Sequence, residues 1–231
     1  MRNYHYSYLV GALIFDAAWL ACYVIGKRYR AEIRWGTLIS APLALTNILF
    51  VPQYWTPPSL FNLDQKIRFG IEDFLWAAAV GGIASVVAEI LLKERLSVMR
   101  SAVRKRHFAP FVVVVVVFIA LEFWHSDKTI YNTIIAFAIG AIVIAVLRSD
   151  LIPTMLIGTL TFTALYFVLF LAVLFLYPEF IQRFYNTPHL LGKYILGVPI
   201  EELLFAGSGG AVWSVAYEYV QGYRLEPAFP L

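Results

Sequence analysis

Residues 152–177 read IPTMLIGTLTFTALYFVLFLAVLFLY, twenty-six positions without one charged side chain. A helix needs about 20 apolar residues to cross the hydrocarbon core of a bilayer. A backbone exposed to lipid must satisfy its own hydrogen bonds, which leaves helices and closed barrels. The alternation of a barrel strand is absent here, so the stretch predicts a membrane helix. Similar blocks recur along the chain. The spans are expected at about 8–25, 35–54, 68–92, 108–124, 132–150, 152–177 and 194–219. The fourth is short, and only Arg148, Ser149, Asp150 and Pro153 divide the fifth from the sixth, which leaves counts of six or eight open beside seven.

Composition agrees. Of 231 residues, 61% are hydrophobic and 14% charged, against about a quarter charged in a soluble domain. Mean hydropathy is +0.73. The single cysteine, Cys22, excludes an internal disulfide and a cysteine metal cluster. Asp16 inside the first apolar run, and the lack of a small-residue cleavage site, argue against a cleavable signal. The eighteen Lys and Arg residues fall into short loops. Twelve fall on one side of a seven-span layout: Lys27, Arg28, Arg30, Arg34, Lys93, Arg95, Arg100, Arg104, Lys105, Arg106, Arg148 and Arg224. The other side holds Arg2, Lys66, Arg68, Lys128, Arg183 and Lys193. The basic excess marks the cytoplasmic face, which puts the N-terminus outside and the C-terminus in the cytoplasm of a multi-pass cell-membrane protein. Membrane lipid is the expected partner and nucleic acid is not. A homo-oligomer is compatible with the sequence but not specified by it.

The chain also repeats itself. Ile71-Glu72-Asp73-Phe74-Leu75-Trp76-Ala77 aligns without gaps to Ile200-Glu201-Glu202-Leu203-Leu204-Phe205-Ala206, an offset of 129 residues. The register continues through Gly81/Gly210, Ser85/Ser214 and Glu89/Glu218. Apolar matches are cheap in membrane helices, but the acids, the glycine and the serine are not. The expected fold is therefore all-α and polytopic: one membrane domain over 1–231, with repeat one at 1–98, a connecting helix at 108–124 and repeat two at 130–231. Three spans, a fourth and three more make the repeats parallel, related by an axis along the membrane normal.

Both acid pairs then enter the bilayer from the outer face. Glu72 and Asp73 are expected about one turn inside the third span, and Glu201 and Glu202 roughly two turns inside the seventh. Charged groups at such depth cost about 3 kcal/mol and should face the bundle. The only Lys or Arg within the assigned spans are Arg68 at the start of the third and Arg148 at the end of the fifth, so the acids cannot all be salt-bridged. Burial and like charge favour the protonated carboxyl, and at least one of the four is expected to keep a proton at neutral pH, as a general acid must. The plain structural alternative is that such acids cap helix starts or hydrogen-bond across helices. Glu89 and Glu218, near the cytoplasmic ends, fit that role better. Helical spacing puts Glu202, Gly209 and Trp213 on one face, and Glu201, Phe205 and Ser208 on the next. Phe205, Trp76, Trp213, Ser208 and Asp16 are the candidate substrate-binding residues. Aromatic faces beside an acid could hold a carbocation, although such stripes also simply pack.

Val198-Pro199-Ile200-Glu201-Glu202-Leu203-Leu204-Phe205 resembles the Pro-x-Glu-Glu-x-x-Phe signature of the heterodimer-type lycopene cyclases. In that membrane family a three-span domain occurs as two subunits or two fused copies, and this chain resembles the fused form. The first copy departs: Gly70 stands for the proline, Asp73 for the second glutamate and Trp76 for the phenylalanine. The resemblance implies a carotenoid cyclase acting on a hydrophobic polyene, with net isomerisation and no redox change. It points to Glu201 or Glu202 as acid and to Glu72 or Asp73 as base. No cofactor and no metal are expected, consistent with the lack of a Gly-rich dinucleotide fingerprint. An intramembrane protease with a Glu-Glu-x-x-x-Arg motif is disfavoured by Ala206, and a prenyltransferase by the lack of Asp-rich magnesium motifs. A non-catalytic carotenoid- or lipid-binding protein of the same fold, and a proton-conducting protein, are the remaining rivals.

Overall fold

The structure is a computed structural model that describes residues 3–92, 95–98 and 108–226. The loop basic residues Arg2, Lys93, Arg100, Arg104, Lys105 and Arg106 lie outside the described residues.

In chain order the elements are α1 (Ser7–Ile25), α2 (Arg30–Ser40), a 3-10 segment (Ala41–Thr46), α3 (Asn47–Phe50), α4 (Leu63–Ile67), α5 (Ile71–Ala84), α6 (Val87–Leu92) and β1 (Arg95–Val98). Then come α7 (Ala109–Trp124), α8 (Thr129–Leu147), α9 (Ile152–Leu176), α10 (Phe180–Phe184), β2 (Tyr194–Ile195), β3 (Val198–Pro199), α11 (Ile200–Trp213), α12 (Ala216–Gln221) and β4 (Tyr223–Glu226). The class is all-α, as expected. Among the described residues, five helices are long and apolar enough to cross a membrane: Tyr4–Ile25, Lys27–Phe50, Ile71–Leu92, Thr129–Leu147 and Ser149–Leu176. α7 is a shorter apolar helix.

Two expectations need correction. The second span begins at Lys27 and ends at Phe50, because Pro52 has no N–H to continue the ladder. The seventh is not helical from residue 194. Residues 194–199 form an antiparallel hairpin, β2 with β3, turned at Leu196 and Gly197 with φ of 49° and 88°. Two successive positive φ values make a tight turn whose twist suits a hairpin. The helix therefore starts at Ile200, and Glu201 and Glu202 lie in its first turn. Glu72 and Asp73 occupy the same place in α5.

Helices pack in two groups: α5 lies against α1 and α2, and α11 against α8 and α9. α5 also meets α11, α1 meets α9, and α7 lies on α8. Close crossings need small residues. A Cβ at Gly36 of α2 would stand 2.6 Å from Ser85 Oγ and 2.7 Å from the Gly81 carbonyl. A Cβ at Gly158 of α9 would stand 2.2 Å from Ser214 Cβ. The same register positions, 81/210 and 85/214, thus carry both crossings, and both third helices break there, at 85–86 and 214–215. Val112, Val116, Ile142, Val146, Leu160 and Phe175 remain exposed on the outer faces of α7, α8 and α9, the pattern of helices solvated by lipid tails.

Candidate functional site

A cavity of about 830 Å³ lies between the two helix groups. Its wall is mostly apolar and aromatic, with a few polar groups, as in many ligand pockets. Asp73 and Glu202 both line it. Trp76 and Phe205, related by the 129-residue offset, line it too and stack on each other with centroids 5.9 Å apart and planes at 25°. Phe15 and Tyr166 set their rings edge-on to Trp76, each at 6.4 Å. Trp213 lines the cavity and meets Trp35 of α2.

The acids of each pair divide. Glu72 and Glu201 turn away from the cavity and tie down the preceding loop. Glu72 Oε1 accepts from the Leu60 N–H at 2.7 Å. Glu201 Oε1 accepts from the Leu191 N–H at 2.6 Å and from Tyr131 Oη at 2.7 Å. Asp73 and Glu202 turn inward. Asp73 Oδ2 caps its helix by accepting from the Gly70 N–H at 2.6 Å, and Oδ1 accepts from Tyr8 Oη at 2.6 Å. Glu202 accepts from three phenols: Tyr54 and Tyr185 on Oε1, both at 2.7 Å, and Tyr166 on Oε2 at 2.5 Å.

Those tyrosines come from distant parts of the chain. Tyr166 is mid-way along α9, whereas Tyr54 and Tyr185 sit in loops laced together by backbone bonds. The Thr56 N–H donates to the Phe184 carbonyl at 2.7 Å, and the Asn186 N–H to the Tyr54 carbonyl at 2.9 Å. Burial, with the Glu202 carboxylate beside them, pushes the Tyr54 and Tyr185 phenols well above the usual tyrosine range, so both remain O–H donors. Trp55 bridges the two acid sites: its ring meets Tyr8 at 4.8 Å and Tyr185 at 5.7 Å. Trp55 Nε1 donates to Asn47 Oδ1 at 2.9 Å, and Asn47 Nδ2 donates to Asp64 Oδ1 at 2.8 Å. Burial pushes the Asp64 carboxyl up, contacts with Ser59 and Asp73 pull it back, and the Glu72 charge adds to the rise.

The other candidates lie elsewhere. Asp16 is half-buried on α1 and absent from the cavity wall. Ser208 also misses the wall, and its hydroxyl donates to the Phe205 carbonyl at 3.2 Å. Glu89 and Glu218 are buried with Glu32 in a separate cluster whose carboxylate oxygens lie within 4.8 Å of one another. The tyrosines, Asp64 and Asn47 escaped the sequence reading. The signal that could have found two of them is polarity: Asn47 stands inside an apolar run, and Asp64 lies six residues before Gly70.

Residues 128–220 match the family model for lycopene cyclase. The match lies in the second part of the chain and supports a lycopene cyclase family assignment. The matched stretch contains α8, α9, the hairpin and α11, and so includes Glu202, two of its three tyrosines and Phe205. No curated protein and no solved structure matches the chain. The family match thus agrees with the signature at Pro199-Ile200-Glu201-Glu202 and supports a carotenoid cyclase at family level.

Proposed function

We propose that the chain is a fused two-repeat carotenoid cyclase, closing a ring at the end of a linear, lycopene-type polyene by proton transfer alone. The observation that carries this reading is that one acid from each repeat, Asp73 and Glu202, lines a single apolar cavity in a chain whose residues 128–220 match the lycopene cyclase family model. In the proposed reaction a proton adds to the terminal double bond and leaves a tertiary carbocation. The neighbouring double bond attacks it, closing the ring and moving the charge inward. Loss of a proton from a different carbon restores the alkene. The atoms balance without an oxidant or reductant.

The hydrogen-bond donors favour a division of labour opposite to the one drawn from the resemblance. Three phenols that donate to one carboxyl suit an anion. Glu202 is therefore assigned as counter-charge to the developing cation and as final base. Asp73, with Tyr8 as partner, is assigned as the proton donor. Trp76, Phe205 and Trp213 present ring faces that favour a cation in a dry site. Ile39 and Leu43 near α2, with Val115 and Ile119 of α7, line the cavity and are also exposed on the outside, a mouth through which a lipid-soluble substrate would enter from the bilayer. Glu72 and Glu201 are assigned loop-anchoring roles, with the N-terminus outside and both acid pairs toward that face.

The decisive experiment expresses the chain in cells that accumulate lycopene and separates their pigments. Cyclised carotenoid at the expense of lycopene is the expected outcome. Unchanged lycopene, with the protein verified in the membrane, would overturn the reading, and unchanged pigment bound to the purified protein would point to a binding role.

A further inference from the structure

The two repeats are unequal around their acids, and the inequality has a local cause. Gly70 stands where the second repeat has Pro199, and Asp64 where it has Lys193. Lys193 is exposed, whereas Asp64 is fully buried. Gly70 has φ −130° and ψ −177°, an extended backbone any residue adopts, so what matters is its missing side chain. A Cβ there would lie 2.8 Å from Asp64 Oδ2 and 2.9 Å from Glu72 Oε2. Glycine thus leaves the room that a buried third carboxyl occupies.

That carboxyl is held firmly. Asp64 Oδ1 accepts from Asn47 Nδ2 at 2.8 Å, and the Asp64 N–H donates to Ser59 Oγ at 2.8 Å. Oδ2 receives no donor, yet it stands 2.8 Å from where a Cβ of Gly70 would be, the same glycine whose N–H donates to Asp73 Oδ2 at 2.6 Å, and the two carboxyls interact directly there. Ionised carboxylates only accept, so a contact between two of them requires a proton between them. The other groups facing the pair are Tyr8 of α1, Tyr185 beyond it, and Glu72 of α5. Lys66 and Arg68 of the adjoining segment are exposed. The ion pairs Arg148–Asp150 and Arg183–Glu179 lie elsewhere, and among the described residues no Lys or Arg pairs with Asp64, Glu72 or Asp73.

We infer that Asp64 is a positioning residue that shares one proton with Asp73 at the cavity wall, and that Gly70 is the space that makes the pair. Its value for turnover rests on the cyclase reading; the shared proton does not. Asp73 touches the cavity and Asp64 does not, so the proton would leave through Asp73. The first repeat's departures from the family signature would then be an adaptation toward acid chemistry, absent from the second repeat.

The test is infrared spectroscopy of purified protein with ¹³C-labelled aspartate, titrated with pH. At neutral pH the wild type should show the C=O stretch of a protonated aspartic acid that persists in Asp16→Asn and disappears only on alkaline titration. Asp64→Asn should abolish that band, and Gly70→Ala should move its titration down by about one pH unit or more. In activity, Asp64→Asn should lower kcat by roughly 10²–10⁴-fold and move the alkaline limb of the profile to lower pH, with partial recovery in Asp64→Glu. A wild type without the band, or a band unchanged in Asp64→Asn, overturns the inference. Should Asp64→Asn not fold, the wild-type titration and Gly70→Ala still decide. A protein that shows the band but does not cyclise refutes the cyclase reading and leaves the pair standing; one that cyclises without the band does the reverse.

Discussion

Replacing Glu202 with Gln separates chemistry from stability. The glutamate is 5% exposed and takes three phenol donors. Glutamine keeps its size, but its one carbonyl oxygen accepts at most two bonds, so the third tyrosine must turn and accept from the new NH₂. Hydrogen bonds to a charged group contribute about 1.5–3 kcal/mol each and neutral ones about 0.5–1.5, so three weakened contacts cost roughly 3–4 kcal/mol. Relief of a buried charge offsets much of that, and Glu202→Gln should fold with a small loss of thermal stability. The rate should not survive so well. Loss of a positioned base typically costs about 10²–10⁴-fold, equivalent to ~2.7–5.4 kcal/mol at 1.36 kcal/mol per decade. The control is Glu201→Gln, which touches a loop N–H and Tyr131 but not the cavity and should cost less than about tenfold. Both would be assayed as purified, monodisperse protein by conversion of lycopene, alongside thermal melts. If Glu202→Gln keeps more than a tenth of wild-type turnover, or if Glu201→Gln is equally damaging, the assignment of Glu202 fails.

Two further outcomes follow from the same contacts. Tyr54→Phe, Tyr166→Phe and Tyr185→Phe each remove one donor from a charged acceptor and should each destabilise by about 1.5–3 kcal/mol; melts that do not move would mean the phenols do not hold Glu202. Gly158→Ala puts a methyl 2.2 Å from Ser214 Cβ and should cost about 1–3 kcal/mol by overpacking, with Ser214→Gly restoring the melt in the double variant; absence of that rescue would refute the close crossing of α9 and α11.

The fold was legible where apolar length decides it. Residues 152–177 announce a membrane helix, and the helix at Ser149–Leu176 covers all but the last of them. The offset of 129 residues also carried real information: it paired Trp76 with Phe205, which stack, and Ser85 with Ser214, where both third helices break. The hairpin before α11 was not legible, because Tyr194-Ile195 and Val198-Pro199 are as apolar as the helix they precede, and only Gly197 hints at the turn. The inward-facing acid of each pair could not be picked either. In a helix apolar all round, periodicity does not distinguish the face toward lipid from the face toward the bundle. The partners of Glu202 lie 148, 36 and 17 residues away, and no local pattern links them.

The stacked pair at the centre allows one more question to be decided: whether those rings merely pack or also stabilise charge. Trp76 and Phe205 occupy matching positions, and their contact spans the two helix groups. A double swap, Trp76→Phe with Phe205→Trp, conserves total volume and keeps one indole against one phenyl, so packing should be tolerated at a cost below about 1.5 kcal/mol. What changes is which helix, α5 or α11, presents the indole, the stronger cation binder of the two rings. In the native arrangement the indole belongs to the helix of Asp73, beside the proposed proton donor, where the first cation would form. If the ring stabilises that cation, the single change Trp76→Phe should slow turnover by about 3–30-fold, matching the ~0.5–2 kcal/mol of a desolvated cation–π contact. The double swap should then recover the melting temperature without recovering the rate. Full recovery of both would show that the pair is packing alone, and the cation would have to be held by Glu202 and the remaining aromatic wall.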